Sequence, residues 1–278
     1  MTRCIDLHIH TTASDGTCTP AEVVERAAAA GLKLISVTDH DTVAGVKEAM
    51  EAGERLGVTV IPGIEISSDY LGEDTHILGY GIDVDSPAMG EVLAWIVAER
   101  DRRNEQIAAL LRRDGMEVDI PRLKERYPGA TVGRPHFARV LVDSGRAKDV
   151  PDAFNKWLDT GRPYYIPRQQ LPFAQGMEFI RRAGGVAVLA HPLQYGYDEA
   201  GLRNLVARAA HCGAQGIEIY YSGYTAEDCA KLVALAREFG LFVTGGSDYH
   251  GDNRPSVRLG NLELPDEVAQ ELFGRLKK

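Results

Sequence analysis

Cysteine is scarce in this sequence, and the four present, Cys4, Cys18, Cys212 and Cys229, include no close pair of the kind that makes a zinc ribbon or a redox motif. They read as free thiols of a reducing compartment. Long apolar runs are missing too: none approaches the roughly 20 residues needed to span a bilayer. The start, "MTRCIDLHIH", is not a charged stretch leading into an apolar one, so no signal peptide is expected. No membrane association and a cytoplasmic location are the resulting expectations. Positive charge is not in excess either. A formal charge of -9 argues against a broad basic surface for duplex DNA. A small anionic substrate held by a few local arginines stays open, because bound cations would offset charge inside a pocket. No fixed-period repeat or low-complexity tract is found, and no obligate protein partner is evident.

What is there is the composition of an ordinary globular protein, with 44% hydrophobic and 26% charged residues in 278. A core of that size holds together without disulfides or a structural metal. Any metal would therefore be present for chemistry. Short apolar strands alternate with helices. "CIDLHIH" reads as a strand, followed by a helix with Thr19 as cap, Pro20 in its first turn and Gly31 as its stop. "KLISVTDHD" is the next strand, a helix follows through "TVAGVKEAMEAGERLG", and "VTVIPGIEIS" and "DTHILGYGI" add two strands around a turn. The rhythm returns in "GGVAVLAHP", "QGIEIYY" and "LFVTGGSDYH", with helices near 198–212 and 225–239 between them. This alternation argues for a largely parallel sheet with helices outside. Between the halves, residues 87–170 read as an inserted helical subdomain: a long amphipathic helix, then short helical segments broken by proline and glycine. It is expected to cover one side of the barrel mouth and to carry substrate recognition, with residues 1–86 and 171–278 forming the barrel.

Polar residues cluster at strand ends: His8 and His10, Asp39 and His40, Glu65, His191, and Asp248 with His250. In a βα barrel the carboxyl ends of the strands form the catalytic face, so residues distant in sequence meet there. Six of the eight histidines, His8, His10, His40, His76, His191 and His250, belong to these groups or adjoin them. The period of two in "HIH" turns both imidazoles to one side of the strand. Asp15, Glu65 and Asp248 add the carboxylates that mixed histidine sites offer to divalent transition metals. Nine candidate ligands, His8, His10, Asp15, His40, Glu65, His76, His191, Asp248 and His250, exceed what one ion takes, so two or three ions are expected.

The series "DLHIHTTASDG", "VTDHD", "PGIEIS", "THILGY", "LAHP" and "GGSDYH" resembles the motif set of the PHP (polymerase and histidinol phosphatase) metallophosphoesterases. The resemblance implies an α/β fold, a distorted seven-stranded TIM-like (βα)7 barrel, and a two- or three-metal centre. Manganese is the first expectation, with iron and zinc as alternatives. It further implies that His8, His10, Glu65 and Asp248 hold one ion, that Glu65 bridges to a second held with His76 and His191, and that Asp15, His40 and His250 hold a third. Asp39 matches a position beside a ligand and is assigned the role of orienting an imidazole or a metal-bound water; with His191 and Asp248 it makes up the residues expected to act in catalysis. The expected reaction is attack on phosphorus by a water or hydroxide shared between ions, with no serine or cysteine nucleophile.

Substrate choice falls to the insert. In "GRPHFAR", Arg134 and His136 are able to bind a second phosphate, or are simply a solvated helix-start arginine and a packed histidine. "VGRPHFARVLVD" and "YIPR" are similar to a PHP subgroup that acts on nucleotides, including phosphatases of nucleoside 3',5'-bisphosphates and 5'-to-3' exoribonucleases of short RNA. For that subgroup Arg134 and His136, with Arg168, are the implied clamp for the 5'-phosphate. The expected reaction is removal of the 3'-phosphate from a nucleoside 3',5'-bisphosphate, with short 5'-phosphorylated RNA as the alternative substrate. A histidinol phosphate phosphatase or a noncatalytic metal-binding module fits less well. Tyr220, Tyr221 and Tyr224 either stack on a base or pack a strand end; Trp95 and Trp157 are read as packing the insert, and His211 as structural.

Overall fold

A computed structural model describes residues 4–127, 132–167 and 169–276. Arg168 lies outside the described residues. The chain divides into two compact units, Met1–Leu93 with Leu171–Lys278, and Ala94–Gln170. The first opens with β1 (Ile5–Ile9), α1 (Pro20–Ala29), β2 (Leu34–Val37), α2 (Val46–Leu56), β3 (Thr59–Tyr70) and β4 (Glu73–Tyr80). The long helix α3 (Pro87–Arg113) leads into the second unit, which holds α4 (Ile120–Arg126), α5 (Arg134–Asp143) and α6 (Val150–Ala153). The first unit resumes with β5 (Leu171–Pro172), α7 (Phe173–Arg182), β6 (Val186–Leu189) and α8 (Glu199–Cys212). It ends with β7 (Gly216–Tyr221), α9 (Ala226–Phe239), β8 (Phe242–Gly246) and α10 (Asp266–Leu276). Among the described residues no helix is long and apolar enough to cross a membrane.

Seven strands form one sheet in the order β1-β2-β3-β4-β6-β7-β8, and short β5 pairs with β3. The sheet nearly closes on itself: a parallel bridge joins Ile9 to Tyr249, and the amides of His10 and Asp248 donate to the carbonyls of Tyr249 (2.9 Å) and His8 (2.8 Å). Gly246 permits this closure, since a Cβ there would sit 2.3 Å from the backbone nitrogen of His8. The architecture is thus a distorted TIM-like barrel with a helical insertion, as the family resemblance implies. One strand departs from the parallel expectation. β4 runs antiparallel to both β3 and β6 because the turn at Leu71 and Gly72 leaves no chain for a crossover.

The local signals act as their chemistry dictates. Thr19 caps α1, its hydroxyl accepting from the Glu22 amide while the Glu22 carboxylate accepts from the Thr19 amide, with Pro20 in the first turn. Val23, Val24 and Ala27 of α1 and Ala49 and Ala52 of α2 then pack on Ile9, Ile35 and Val37. Full burial of such a valine is worth about 1.5–3 kcal/mol. α2 begins at Val46, later than the apolar pattern suggests, because Asp41 takes a positive φ of 56° and the chain turns before the helix starts. A second cluster joins residues near the strand starts, among them Ile5, Leu34, Ile61, Val186 and Phe242, to Val268 and Leu272 of α10. That plug is apolar, so the polar strand-end residues lie at the other end. The second unit has its own core of Ile107, Leu111, Leu123, Phe137, Leu141, Leu158 and Tyr164, with Trp157 stacked on Tyr164.

Candidate metal centre

β1 delivers His8 and, one residue past its end, His10, both fully buried. The loop that follows carries Asp15, the only half-exposed member of the group. His40 follows β2 and is bridged to Glu65 in the middle of long β3. His76 comes from the start of β4, and antiparallel pairing sets it opposite Ser67, beside the same rim. His191 follows β6, and Asp248 and His250 follow β8. His191 and Asp248 have positive φ values of 23° and 57°, backbone strain placed where functional side chains are aimed.

All nine side chains meet in four overlapping groups: His8 with His10 and Asp248; His8 with Glu65 and His191; His40 with Glu65 and His76; His10 with Asp15, His40 and His250. Glu65 is the hinge of the arrangement. Its Oε2 lies 3.3 Å from Nε2 of His8, 3.1 Å from Nε2 of His10 and 3.1 Å from Nδ1 of His40. Its Oε1 lies 3.0 Å from Nδ1 of His76 and 3.0 Å from Nε2 of His191. Asp248 Oδ1 sits 3.4 Å and 3.2 Å from the Nε2 atoms of His8 and His10. Asp15 Oδ1 is 3.2 Å from Nε2 of His250, and its Oδ2 is 3.9 Å from Nε2 of His40.

These separations suit atoms that share a cation. Ligands about 2.1 Å from one ion stand about 3.0 Å apart in an octahedron and about 3.4 Å apart in a tetrahedron. The tautomers agree with that reading. Nδ1–H of His8 donates to Glu218 (3.0 Å) and Nδ1–H of His250 donates to the Asp248 carbonyl (2.9 Å), which leaves both Nε2 lone pairs facing the cluster. His8 Nε2 then stands 3.1 Å from His10 Nε2 in a pocket closed to solvent. Charge tells the same story. Burial opposes protonation of His10, yet hydrogen bonds to Asp248 and Glu65 outweigh it and raise the group to about 9. His76, against the same burial, is raised to about 10 by Glu65 and Asp74. His40 is pushed down to about 4, chiefly by burial, with the imidazoles of His10 and His76 acting in the same direction and the carboxylates of Glu65 and Asp15 against it. Without ions, protons occupy a site whose carboxylates demand positive charge. The residues present therefore fit a centre of divalent cations.

Several supporting residues were not legible as site residues in the sequence. Glu218, fully buried in β7, accepts from His8 and from the His191 amide (2.9 Å). Tyr221, a candidate for base stacking, is buried, and its hydroxyl donates to Asp248 Oδ2 (2.7 Å). Arg254 pairs with the same oxygen, so Oδ1 alone is turned to the imidazoles. Tyr224 is likewise engaged, its hydroxyl accepting from the Leu193 amide (2.9 Å). Asp39 makes its contacts elsewhere than on an imidazole: it accepts from the Thr11 amide (2.7 Å), the Thr11 hydroxyl (2.7 Å) and the Ser14 hydroxyl (2.6 Å). It ties down the loop that carries Asp15. The signal for Glu218 was a single carboxylate among the apolar residues of "GIEIYY", a placement that costs too much to be incidental.

In the helical unit, Arg134 and His136 begin α5. Arg134 lies 5.7 Å from the Tyr165 ring centroid. His136 accepts the Gly133 amide at Nδ1 (3.0 Å) and packs edge-on against Tyr127. Burial lowers its pKa, with the nearby Arg100 acting in the same direction. Neutral and bonded at Nδ1, the ring keeps an N–H at Nε2 for an acceptor.

The PHP domain model matches residues 6–127. The chain is 37% identical over 266 residues to the 5'-3' exoribonuclease Rnm of Escherichia coli, covering 95% of this chain and 90% of that protein. It is 35% identical over 282 residues to the 3',5'-nucleoside bisphosphate phosphatase of Chromobacterium violaceum, covering 98% and 96%. A solved structure of an amidohydrolase from Chromobacterium violaceum with bound sulfate matches at a TM-score of 0.81 and 35% identity, over 98% of this chain and 96% of that one. Likeness over nearly the whole length of these proteins, together with the nine converging side chains, establishes that the chain belongs to the PHP-domain family of metallophosphoesterases, related to its nucleoside bisphosphate phosphatase and exoribonuclease subgroup.

Proposed function

We propose that this protein is a metal-dependent phosphomonoesterase that removes the 3'-phosphate from nucleoside 3',5'-bisphosphates, such as adenosine 3',5'-bisphosphate, to give the 5'-monophosphate and phosphate. The observation that carries this reading is the convergence of nine imidazole and carboxylate side chains on Glu65 at one end of the barrel. Likeness to the Chromobacterium bisphosphate phosphatase along 98% of the chain supports the substrate class. His8, His10, Glu65 and Asp248 would hold one ion, Glu65, His76 and His191 a second, and Asp15, His40 and His250 a third. Mixed nitrogen and oxygen donors suit manganese, iron and zinc alike, and manganese is proposed first because the family resemblance implies it. When bound, such ions lower the pKa of water and offset charge on phosphoryl oxygens.

The chain's own groups do the rest. The Tyr221 hydroxyl and Arg254 hold Asp248 Oδ2, which keeps Oδ1 aimed at His8 and His10. Asp39 acts on the site through the Thr11–Ser14 loop. Arg134 and the Nε2–H of His136 receive the 5'-phosphate, Arg134 as a planar donor fork and His136 as a fixed single donor. Arg168 belongs to the same clamp in this proposal. A second reading, 5'-to-3' hydrolysis of short 5'-phosphorylated RNA with the same centre, is supported by 37% identity to an exoribonuclease. Initial rates on adenosine 3',5'-bisphosphate, 5'-phosphorylated short RNA and histidinol phosphate, each with manganese and with chelator, test both. The expected result is manganese-dependent release of phosphate, fastest from the bisphosphate. Faster nucleotide release from RNA would favour the second reading, and preference for histidinol phosphate would overturn both.

A further inference from the structure

We infer that Glu218 is the positioning residue that holds His8 in its coordinating tautomer and, with the same carboxylate, anchors the backbone that presents His191, so that one buried side chain sets a ligand in each of two metal groups. The inference rests on the metal-dependent reading above.

β7 is apolar on both sides of Glu218: Ile217 and Ile219 are fully buried, and so is the carboxylate between them. A carboxylate removed from water carries a penalty of several kcal/mol unless it is well partnered. Here both oxygens are partnered by groups of the candidate site. Oε1 lies 3.0 Å and Oε2 3.2 Å from Nδ1 of His8, and Oε2 also accepts the His191 amide at 2.9 Å. Because Nδ1 of His8 must carry the proton it donates, Nε2 is left with its lone pair toward Glu65 Oε2 (3.3 Å) and Asp248 Oδ1 (3.4 Å). The opposite tautomer would point an N–H into the cluster and remove His8 from it. A neutral histidine has one acceptor nitrogen, so whichever group holds the other nitrogen decides whether His8 is a ligand at all.

The second contact works on geometry. His191 has φ 23° and ψ 60°, outside the favoured regions, and conformations of this kind persist only where surrounding contacts over-determine them. The Glu218 bond to its amide is one such contact. In that conformation the ring delivers Nε2 to 3.0 Å from Glu65 Oε1 and 3.4 Å from His76 Nδ1. The His8 and His191 rings lie stacked, 5.7 Å apart and 18° from parallel, so a shift at one is felt at the other. His250 offers the contrast. Its Nδ1 is held by a carbonyl two residues away, a local bond, whereas the partner of His8 lies 210 positions along the chain and arrives only when β7 is in place.

The neutral isostere separates charge and acceptor count from shape. In E218Q one of the two oxygens becomes an amide N–H, which in either orientation faces a donor, the Nδ1–H of His8 or the His191 amide. Full-length wild-type and E218Q protein, stripped with chelator, would be titrated with manganese, and their Tm measured in chelator. Expected is a 10- to 100-fold weaker manganese affinity in E218Q, together with a lower chelated Tm, since the neutral amide no longer compensates a protonated His8. Manganese affinity indistinguishable from wild type would overturn the inference, as would a fall in chelated Tm with no loss of affinity. A measurement on the wild type alone guards against a variant that fails to fold: in cadmium-loaded, 15N-labelled protein, His8 should show a proton on Nδ1 and cadmium coupling at Nε2. Coordination through Nδ1, or no proton there, overturns the role. Wild-type protein that takes up no manganese or cadmium would instead sink the metal-dependent reading itself, and this inference with it.

Discussion

Stripping the ions should give this protein a pH dependence of stability that runs against that of the loaded form above neutrality. In the ion-free protein His10 titrates at about 9 and His76 at about 10, and the neighbouring carboxylates of Glu218, Glu65 and Asp248, working against burial, also hold His8 well above its ordinary value. Unfolded imidazoles titrate near 6.5. Between these values the folded chain holds protons that the unfolded chain has lost, so stability falls as pH rises. The contribution is fully present below about 6.5 and gone once pH has passed the folded values. For fully buried His10, a shift from 6.5 to about 9 corresponds to about 3 kcal/mol. His76 and His8 act in the same direction. His40, lowered to about 4, gains its stability as pH rises toward 6.5 and adds no slope above it. In the loaded protein the opposite holds, because each bound ion stabilises the fold by about 2.7 kcal/mol at 100 times its Kd, and rising pH removes the protons that compete for the same nitrogens. Melting curves from pH 6.5 to 9.5, with chelator or with excess manganese, should diverge as pH rises. At about 2.1 cal/mol/K per residue, the His10 contribution alone amounts to about 5 °C in Tm. Parallel curves, or a chelated protein that gains stability between pH 6.5 and 9, would refute the reasoning.

Three further outcomes follow from the same geometry. Asp248→Ala removes the oxygen shared by His8 and His10 and should cut kcat by at least about 100-fold even with manganese in excess; retained hydrolysis under those conditions would remove the proposed centre. Arg134→Ala should raise KM for a nucleoside 3',5'-bisphosphate by about tenfold or more while leaving KM for a simple aryl phosphate unchanged, and equal small effects on both would exclude a phosphate clamp. Gly246→Ala places a Cβ on the backbone of His8 and should cost about 1–3 kcal/mol or more in denaturant unfolding, together with weaker manganese binding. A stable Gly246→Ala protein with wild-type affinity would show that β8 and β1 yield without disturbing His8.

How much was legible depended on the range of the forces involved. The cap at Thr19, the stop at Gly31 and the two-residue period of "HIH" are local, and each is read from a few adjacent residues. The direction of β4 was not in its own pattern; an alternating strand looks alike whether it runs with or against its neighbours, and only the short turn after Tyr70 reverses it. That reversal is why His76 reaches the rim from the first half of a strand that runs opposite to its neighbours. Asp39 reads from its sequence position as orienting an imidazole or a metal-bound water; which donors its oxygens accept from, Thr11 and Ser14 of another element, is visible only in the fold.

By itself, the sequence determined the inventory: which strands and helices form, and which imidazoles and carboxylates are available at their ends, because propensity, capping and periodicity act over a few residues. The tertiary structure alone decided the use of that inventory. Barrel closure brings Glu65 between two sets of histidines, Glu218 behind His8, and Tyr221 with Arg254 behind Asp248. Those partners lie up to 210 residues apart, and their hydrogen bonds and charges take effect only over a few ångströms in space.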